Sequence, residues 1–300
     1  MASTLETCAN TAARPGSPSA GDTVYQEDTK QIIVWDGSAW KAYDSSGAAV
    51  NDADITGLSP YTWLRGDAGI YTDASKSTVA AQGELVYTWA DQAGSIDFTN
   101  STESQRPQWI DNTAANNKAG VTMASDGLTH VGTSSTQMSM DDYTMFWVIW
   151  IGYASSSYYY KTSDNIFRVD ASTHPKSTRT VTWGNNSVNY PFGNPGLVQP
   201  TDYYISPQII AFRSDSTADT HAVWRNGGSA NGTDSRGALA ATDYLFKDGV
   251  TTYIGAGLAV ANPFTWYDYL VFDDSLTNAQ MDTCFSYFGT KYGITTTAVS

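Results

Sequence analysis

The chain has 300 residues, 41% hydrophobic and 13% aromatic, which is enough for a sizeable core in one large domain, or in a large and a small one. Only 15% of residues are charged and the formal charge is −14, which argues against a nucleic-acid partner and against an anionic membrane surface, since both need clustered Lys and Arg. No apolar run approaches the roughly 18 residues that a spanning helix requires, so no membrane insertion is expected.

Residues 1–21 are small and polar and include Pro15 and Pro18, so an extended N-terminal arm with little core of its own is expected. They show neither the basic region nor the apolar core of a signal peptide, which fits a protein that folds in a cytoplasm. From residue 22 the texture changes. Thr23-Val24-Tyr25, Gln31 to Trp35 and Ser38 to Tyr43 are strand-like, and Asp36-Gly37 between the last two is a hairpin signal. A three-stranded meander over 22–43 is therefore predicted, too small to be stable alone. The stretch 44–60 is rich in Asp, Ser, Gly and Ala and reads as a linker with a boundary near residue 57, giving units at 1–21, 22–57 and 58–300.

Beyond the linker, short strand candidates recur with turn residues between them: 62–64, 85–89, 120–123, 143–150, 166–169, 179–183, 208–212, 221–224, 252–254 and 267–272. Many short strands and a single helix predict an all-β sandwich or jelly roll. The run Tyr143 to Ile151 is apolar at every second position on both faces, which predicts a central strand covered on both sides. The one helix is set by local signals. Thr277 stands three residues before Gln280, the spacing of a capping box. Met281, Cys284, Phe285, Phe288 and Tyr292 form one apolar stripe, and Gly293 stands where a left-handed C-cap is needed. Cys284 on that stripe is predicted to be a small buried hydrophobe, while Cys8 has no assignment.

Several of these segments carry a resemblance. Leu64 to Ile70, Trp89-Ala90-Asp91-Gln92-Ala93-Gly94, Arg106-Pro107-Gln108-Trp109 and the closing Thr251 to Ile294 resemble the concanavalin A-like, LamG-like jelly-roll domains of secreted and viral proteins. Ala93 departs from the usual Ser, and residues 152–207 align less readily. The resemblance implies a jelly-roll fold, with the helix capping the sandwich near an open end. It also admits a structural calcium ion, though no ligands can be named, and no cofactor is otherwise implied. Upstream, Arg14-Pro15 to Gly21-Asp22, followed by Ile33-Val34-Trp35-Asp36-Gly37-Ser38-Ala39-Trp40, is similar to attachment modules at the N-termini of bacteriophage virion proteins.

Candidate chemistry is thin. Arg65-Gly66-Asp67 spells an integrin-type tripeptide, which the jelly-roll resemblance explains as a strand end and acidic turn. Trp89, Asp91 and Gly94 read as a structural turn. Acidic residues gather at Asp141-Asp142, Asp215/Asp219 and Asp273-Asp274, without an EF-hand pattern. The E-x-D-x-x-E strand of laminarinase-type relatives is missing, and His130, His174 and His221 are scattered, so no enzyme is expected and no catalytic residue is assigned. Asp219 and His221 are expected to pair on the surface. Tyr158, Tyr159, Tyr160, Tyr190 and Phe192 are candidate ligand contacts, because loop aromatics stack on sugars or partner proteins.

These readings imply a structural protein of a bacteriophage particle, assembled in the host cytoplasm. It is expected to decorate the capsid as a homo-oligomer and to display a lectin-like domain. Arg14, Pro15, Tyr25, Ile33, Trp35 and Trp40 would contact other virion proteins. A tail or fibre protein binding a host-surface glycan is the alternative, and a polysaccharide-degrading enzyme comes last.

Overall fold

The structure, a computed structural model, describes residues 6–9, 13–26, 31–35, 37–38, 40–42, 51–111, 118–123, 127–139, 141–151, 164–169, 179–184, 187–189, 207–230, 232–235, 244–246, 248–254 and 264–300. The chain opens with β1 (Glu6–Cys8), β2 (Thr23–Gln26), β3 (Gln31–Trp35) and β4 (Trp40–Ala42), which form one four-stranded sheet in that order. The last three strands are the predicted antiparallel meander. Trp35 lies opposite Trp40, and Gly37 takes φ +100, which the tight turn requires. The arm is more than an extended tail: β1 adds a parallel edge strand on β2, and its Cys8 is buried with Val24 and Ile33.

Within the expected linker, Asp52–Gly57 form a helix, α1. Asn51 caps it: its side chain accepts from Ala53 N at 2.8 Å, while Asp54 reaches back to Asn51 N at 2.9 Å. This is a capping box with Asp in the position usually held by Glu or Gln. Ile55 is fully buried in the apolar cluster beneath the C-terminal helix, so α1 packs as part of the sandwich.

From there strands follow in order: β5 (Thr62–Arg65), β6 (Ile70–Tyr71), β7 (Thr88–Trp89), β8 (Phe98–Thr99), β9 (Gln108–Ile110), β10 (Gly120–Met123), β11 (Leu128–Val131) and β12 (Met138–Ser139). Then come β13 (Tyr143–Ile151), β14 (Asp164–Val169), β15 (Arg179–Gly184), β16 (Ser187–Asn189), β17 (Gln208–Asp215), β18 (Thr220–Arg225) and β19 (Gly232–Ser235). The chain closes with β20 (Tyr244–Leu245), β21 (Thr251–Ile254), β22 (Phe264–Phe272) and helix α2 (Asn278–Tyr292). One eight-stranded sheet has the order β19-β18-β17-β13-β22-β10-β9, with β5 also paired to β22. A second has the order β16-β15-β14-β21-β11-β8-β7-β6, and β12 pairs with β20. The fold is an all-β sandwich with one C-terminal helix.

Strand β13 explains how the layers stack. Met145, Trp147 and Ile149 face the second sheet and share one core cluster with its Trp89 and Phe98 and with Phe212 and Trp266 of the neighbouring strands β17 and β22. Phe146 and Val148 face the other way, toward α2. Phe146 meets Phe285 edge-on at 5.3 Å and Phe288 at 6.0 Å between ring centroids. The strand is buried on both faces, as its apolar run predicts.

Helix α2 begins and ends where the local signals place it. Thr277 Oγ1 accepts from Gln280 N at 3.3 Å, the Gln280 side chain accepts from Thr277 N at 2.9 Å, and Gly293 is left-handed at φ 67. Its position differs from expectation. The helix does not cap an open end of the sandwich; it lies across the outer face of the first sheet. The reason is the width of its stripe: Met281, Cys284, Phe285, Phe288 and Tyr292 are matched by outward residues of β5, β13, β17 and β22, all in one buried cluster. Each large side chain so covered contributes about 1.5–3 kcal/mol.

Candidate functional site

Four of the six predicted attachment residues come together in the N-terminal sheet. Ile33 is buried against Val24 and Cys8. Trp35 is half-buried at the end of β3, opposite Trp40 on β4, and Tyr25 lies opposite Ile32 and Thr7. Arg14 and Pro15 are half-buried in the segment that joins β1 to β2. The predicted contact aromatics Tyr158, Tyr159, Tyr160, Tyr190 and Phe192 lie outside the described residues, as does His174.

A polar cluster that sequence reasoning missed lies on the helix side of the first sheet. Between β13 and β22 the register shifts: Val148 opposes Asp268, but Ile149 opposes Trp266. The extra residue is a β-bulge, which turns both Tyr267 and Asp268 toward α2. Asp268 is fully buried. Three donors converge on its carboxylate: Trp63 Nε1 at 3.0 Å, Lys291 Nζ at 2.9 Å and the Tyr292 hydroxyl. Lys291 also donates to Asp67 at 3.1 Å, and Arg65 clamps Asp67 with Nε at 3.0 Å and a terminal nitrogen at 3.1 Å. Arg65 reaches on to Asp52 of α1, whose second oxygen accepts from the Tyr287 hydroxyl at 2.7 Å.

Two cations, Arg65 and Lys291, serve three carboxylates along this chain. Burial opposes the charge on Arg65, but the hydrogen bonds and charge of Asp67 outweigh it and hold its pKa above the ordinary value. Burial pushes Asp67 up, yet Arg65 and Lys291 together pull it down to about 2. Burial raises Asp268 above the usual carboxylate range against the pull of Lys291, and burial with the Asp268 charge raises Tyr292. The cluster thus fastens α1, β5, β22 and α2 to one another.

The same geometry settles the Arg65-Gly66-Asp67 tripeptide. Its two charges are spent on ion pairs, and its glycine is wedged where β5 leaves β22 and β10 takes over the edge. A Cβ at Gly66 would lie 2.6 Å from Ala119 O and 2.7 Å from Tyr267 O. One signal was legible in advance: Asp268 is the only charged residue in the aromatic strand Phe264–Phe272, and a charge in a buried strand demands partners.

The other motifs serve the fold. Asp91 accepts from the backbone nitrogens of Trp63, Ala93 and Ile96 at 2.8–3.0 Å, and the buried Trp89 donates to Arg65 O at 2.8 Å. Asp142 is taken up by Ser216 N and Oγ, both at 2.6 Å, and Asp215 by Ala218 N at 2.8 Å. Burial and the neighbouring charge of Asp274 raise Asp273. Among the described residues no group of three or more His, Cys, Asp or Glu is placed to hold a metal ion. His130 packs edge-on against Phe246 with Nδ1 2.9 Å from Asp97 O, and burial lowers its pKa. Asp219 sits in an exposed turn at φ 53, but His221 is only 1% exposed on β18, so it is not on the surface where the pair was expected.

No protein-family model matches the chain, and neither does any curated protein. Solved structures are similar to it in part. Trypanosoma rangeli sialidase in complex with sialic acid is 11% identical, with a TM-score of 0.49 over 83% of this chain and 36% of that one. The binding domain of Paraclostridial Mosquitocidal Protein 1 is 10% identical, with a TM-score of 0.43 over 68% of this chain and 50% of that one. The ligand binding domain of Botulinum neurotoxin serotype D, in complex with N-acetylneuraminic acid, is 8% identical, with a TM-score of 0.39 over 77% and 52%. The chain therefore spans about a third to a half of the chains it matches.

One expectation is corrected here. The missing E-x-D-x-x-E strand led to the expectation of no enzyme, but sialidases, which are enzymes, stand among the similar structures. The lack of one carboxylate pattern excludes only the chemistry that uses it.

Proposed function

We propose that this chain is a carbohydrate-binding surface protein of a bacteriophage particle, anchored by its N-terminal sheet and displaying its sandwich outward. The observation that carries the reading is that the N-terminal sheet pairs its four strands only with one another and, among the described residues, has a core cluster of its own. Cys8, Val24 and Ile33 form a cluster apart from the two that build the sandwich. A sheet of four strands of three to five residues is small enough to gain stability from a partner surface. The segment from Arg14 to Trp40 that resembles virion attachment modules makes up most of this sheet. Capsid decoration by a homo-oligomer is the first form of this reading, because the described sandwich is compact and carries no shaft.

Quantitative mass spectrometry of purified particles tests the anchor. Hundreds of copies fit decoration of the capsid, roughly a dozen fit a tail or vertex position, and absence from particles overturns the virion reading. A glycan array probed with the full chain tests the display. It should carry neutral and sialylated glycans, since sialic acid and N-acetylneuraminic acid are the sugars held in two of the similar structures. The hits are then incubated with the protein and assayed for released sugar, so that turnover is seen if it occurs.

A further inference from the structure

The polar cluster under α2 brings an amine and a carboxyl group together out of reach of solvent. Lys291 Nζ lies 2.9 Å from Asp268 Oδ2, and both residues stand on rigid elements: the last turn of α2 and the bulge of β22. A carbon–oxygen bond adds about 1.23 Å, so Nζ is no more than about 4.1 Å from the carboxyl carbon. Two groups held that close by packed elements react with an effective molarity far above any reached in solution.

The surroundings favour the reactive forms. Asp268 is 0% exposed and Lys291 9% on their side chains. The rings of Tyr287 and Tyr292 lie 5.6 Å and 5.1 Å from Nζ, and Tyr267 and Phe288 are buried in the same apolar cluster. Such a site disfavours separated charge, and burial already raises the Asp268 pKa. One proton moved along the 2.9 Å hydrogen bond gives a neutral acid beside a neutral amine. The donors are also sorted by oxygen. Trp63 Nε1 donates to Oδ1 at 3.0 Å, whereas the Tyr292 hydroxyl and Lys291 both meet Oδ2. Oδ1 is thereby prepared to carry the negative charge of a tetrahedral intermediate, and Oδ2 to leave. Asp67 Oδ1 accepts from Nζ at 3.1 Å, so the amine is held from its far side as well.

We propose that Lys291 and Asp268 condense to an amide, a covalent staple between α2 and β22. The Nζ lone pair attacks the Asp268 carboxyl carbon, and the bond from that carbon to Oδ2 breaks. Oδ2 departs as water with two protons that began on the ammonium, and the third stays on the amide nitrogen. One cation and one anion are consumed together, so charge balances, and no oxidant, cofactor or second protein takes part. Trp63 stabilises the charge that develops on Oδ1, and Tyr292 hydrogen-bonds the leaving oxygen. The Lys76–Asp97 pair is the contrast within the same chain: its side chains are 43% and 25% exposed, so solvent keeps it ionic. Loss of Lys291 leaves Asp268 a free buried carboxylate whether the two were paired or joined.

Mass spectrometry of the full, denatured chain tests the bond. The expected mass is about 18 Da, one water, below that of the sequence. Trypsin locates the loss. Lys291 is the only Lys or Arg after Lys247, so a joined Lys291 is not cut, and residues 248–300 run as one peptide that is also about 18 Da light. Lys291→Arg keeps a cation but lacks a nucleophilic amine, and should restore both the full mass and the cut at 291. Trp63→Phe, followed from cell-free synthesis, should slow the joining at least about tenfold. A full-mass chain cut at Lys291 overturns the proposal. So does a light chain whose loss survives Lys291→Arg, since a dehydrated Asp-Gly step such as Asp36-Gly37 gives the same mass. Where Lys291→Arg does not fold, the peptide map of the unaltered chain decides alone.

Discussion

Replacing Lys291 by Met is the sharpest test of the polar cluster. Lys291 is 9% exposed on its side chain, and its ammonium lies 2.9 Å from Asp268, whose side chain is 0% exposed. Removing the cation strands that carboxylate with two neutral donors, Trp63 and Tyr292. Asp67 is not stranded, because Arg65 still holds it with two nitrogens. Breaking one side of a buried pair costs about 3–5 kcal/mol. For a domain of this size that lowers the melting midpoint by about 6–20 °C. The pH dependence adds a second reading. Burial raises the folded pKa of Asp268, so the folded state takes up its proton more readily than the unfolded chain. The cost of the stranded charge is therefore full at neutral pH and shrinks as pH falls through the raised value. Urea unfolding followed by tryptophan fluorescence, at neutral and at acidic pH, measures both. Adding Asp268→Asn should restore much of the loss. A deficit under about 1 kcal/mol, or one that does not change with pH, would show that water reaches Asp268 and refute the argument.

Further outcomes follow from other contacts. Gly66→Ala drives a Cβ to 2.6 Å from Ala119 O, a backbone atom that cannot swing aside, so a loss of about 1–3 kcal/mol is expected in the same urea assay. Asp67 has its pKa pulled down to about 2, so its ion pairs add stability above the ordinary carboxylate range and lose it as pH falls from there through 2; Asp67→Asn should flatten the acid limb of the stability profile in that window. Cys284 is fully buried and burial pushes its thiol up, whereas Cys8 is 6% exposed near the start of the chain, on β1 at the edge of the N-terminal sheet; a thiol reagent should label Cys8 first, and equal rates would mean that the N-terminal sheet is as stable as the sandwich.

What could be read in the sequence was what neighbouring residues decide. Thr277, Gln280 and Gly293 set both ends of α2 through their own hydrogen bonds and dihedrals, so helix length was legible, while its place on the sheet depended on outward residues of four distant strands. Asp36-Gly37 announced its hairpin for the same local reason. The two-residue strands β6, β8, β12 and β20 have no periodicity to detect, and pairing alone defines them. Helix α1 was hidden by composition: the polar run around Asn51 looks like linker, and Asp54 closes its capping box where Glu or Gln is the usual signal. The bulge at Tyr267 and Asp268 left only an indirect mark, the lone acid in an aromatic strand. Arg65, Asp67 and Lys291 could not be joined from sequence, because Arg65 and Lys291 stand at opposite ends of the sandwich's chain.

The capped helix α1 also fixes the length of a tether. Strand β4 ends at Ala42, and the α1 cap is Asn51. Nine peptide steps at about 3.5 Å each reach no farther than roughly 30 Å. A 17-residue linker, as the composition suggested over 44–60, would have doubled that radius and enlarged the volume swept about eightfold. A partner that held the N-terminal sheet would therefore hold Asn51, and the helix it caps, within that reach of Ala42.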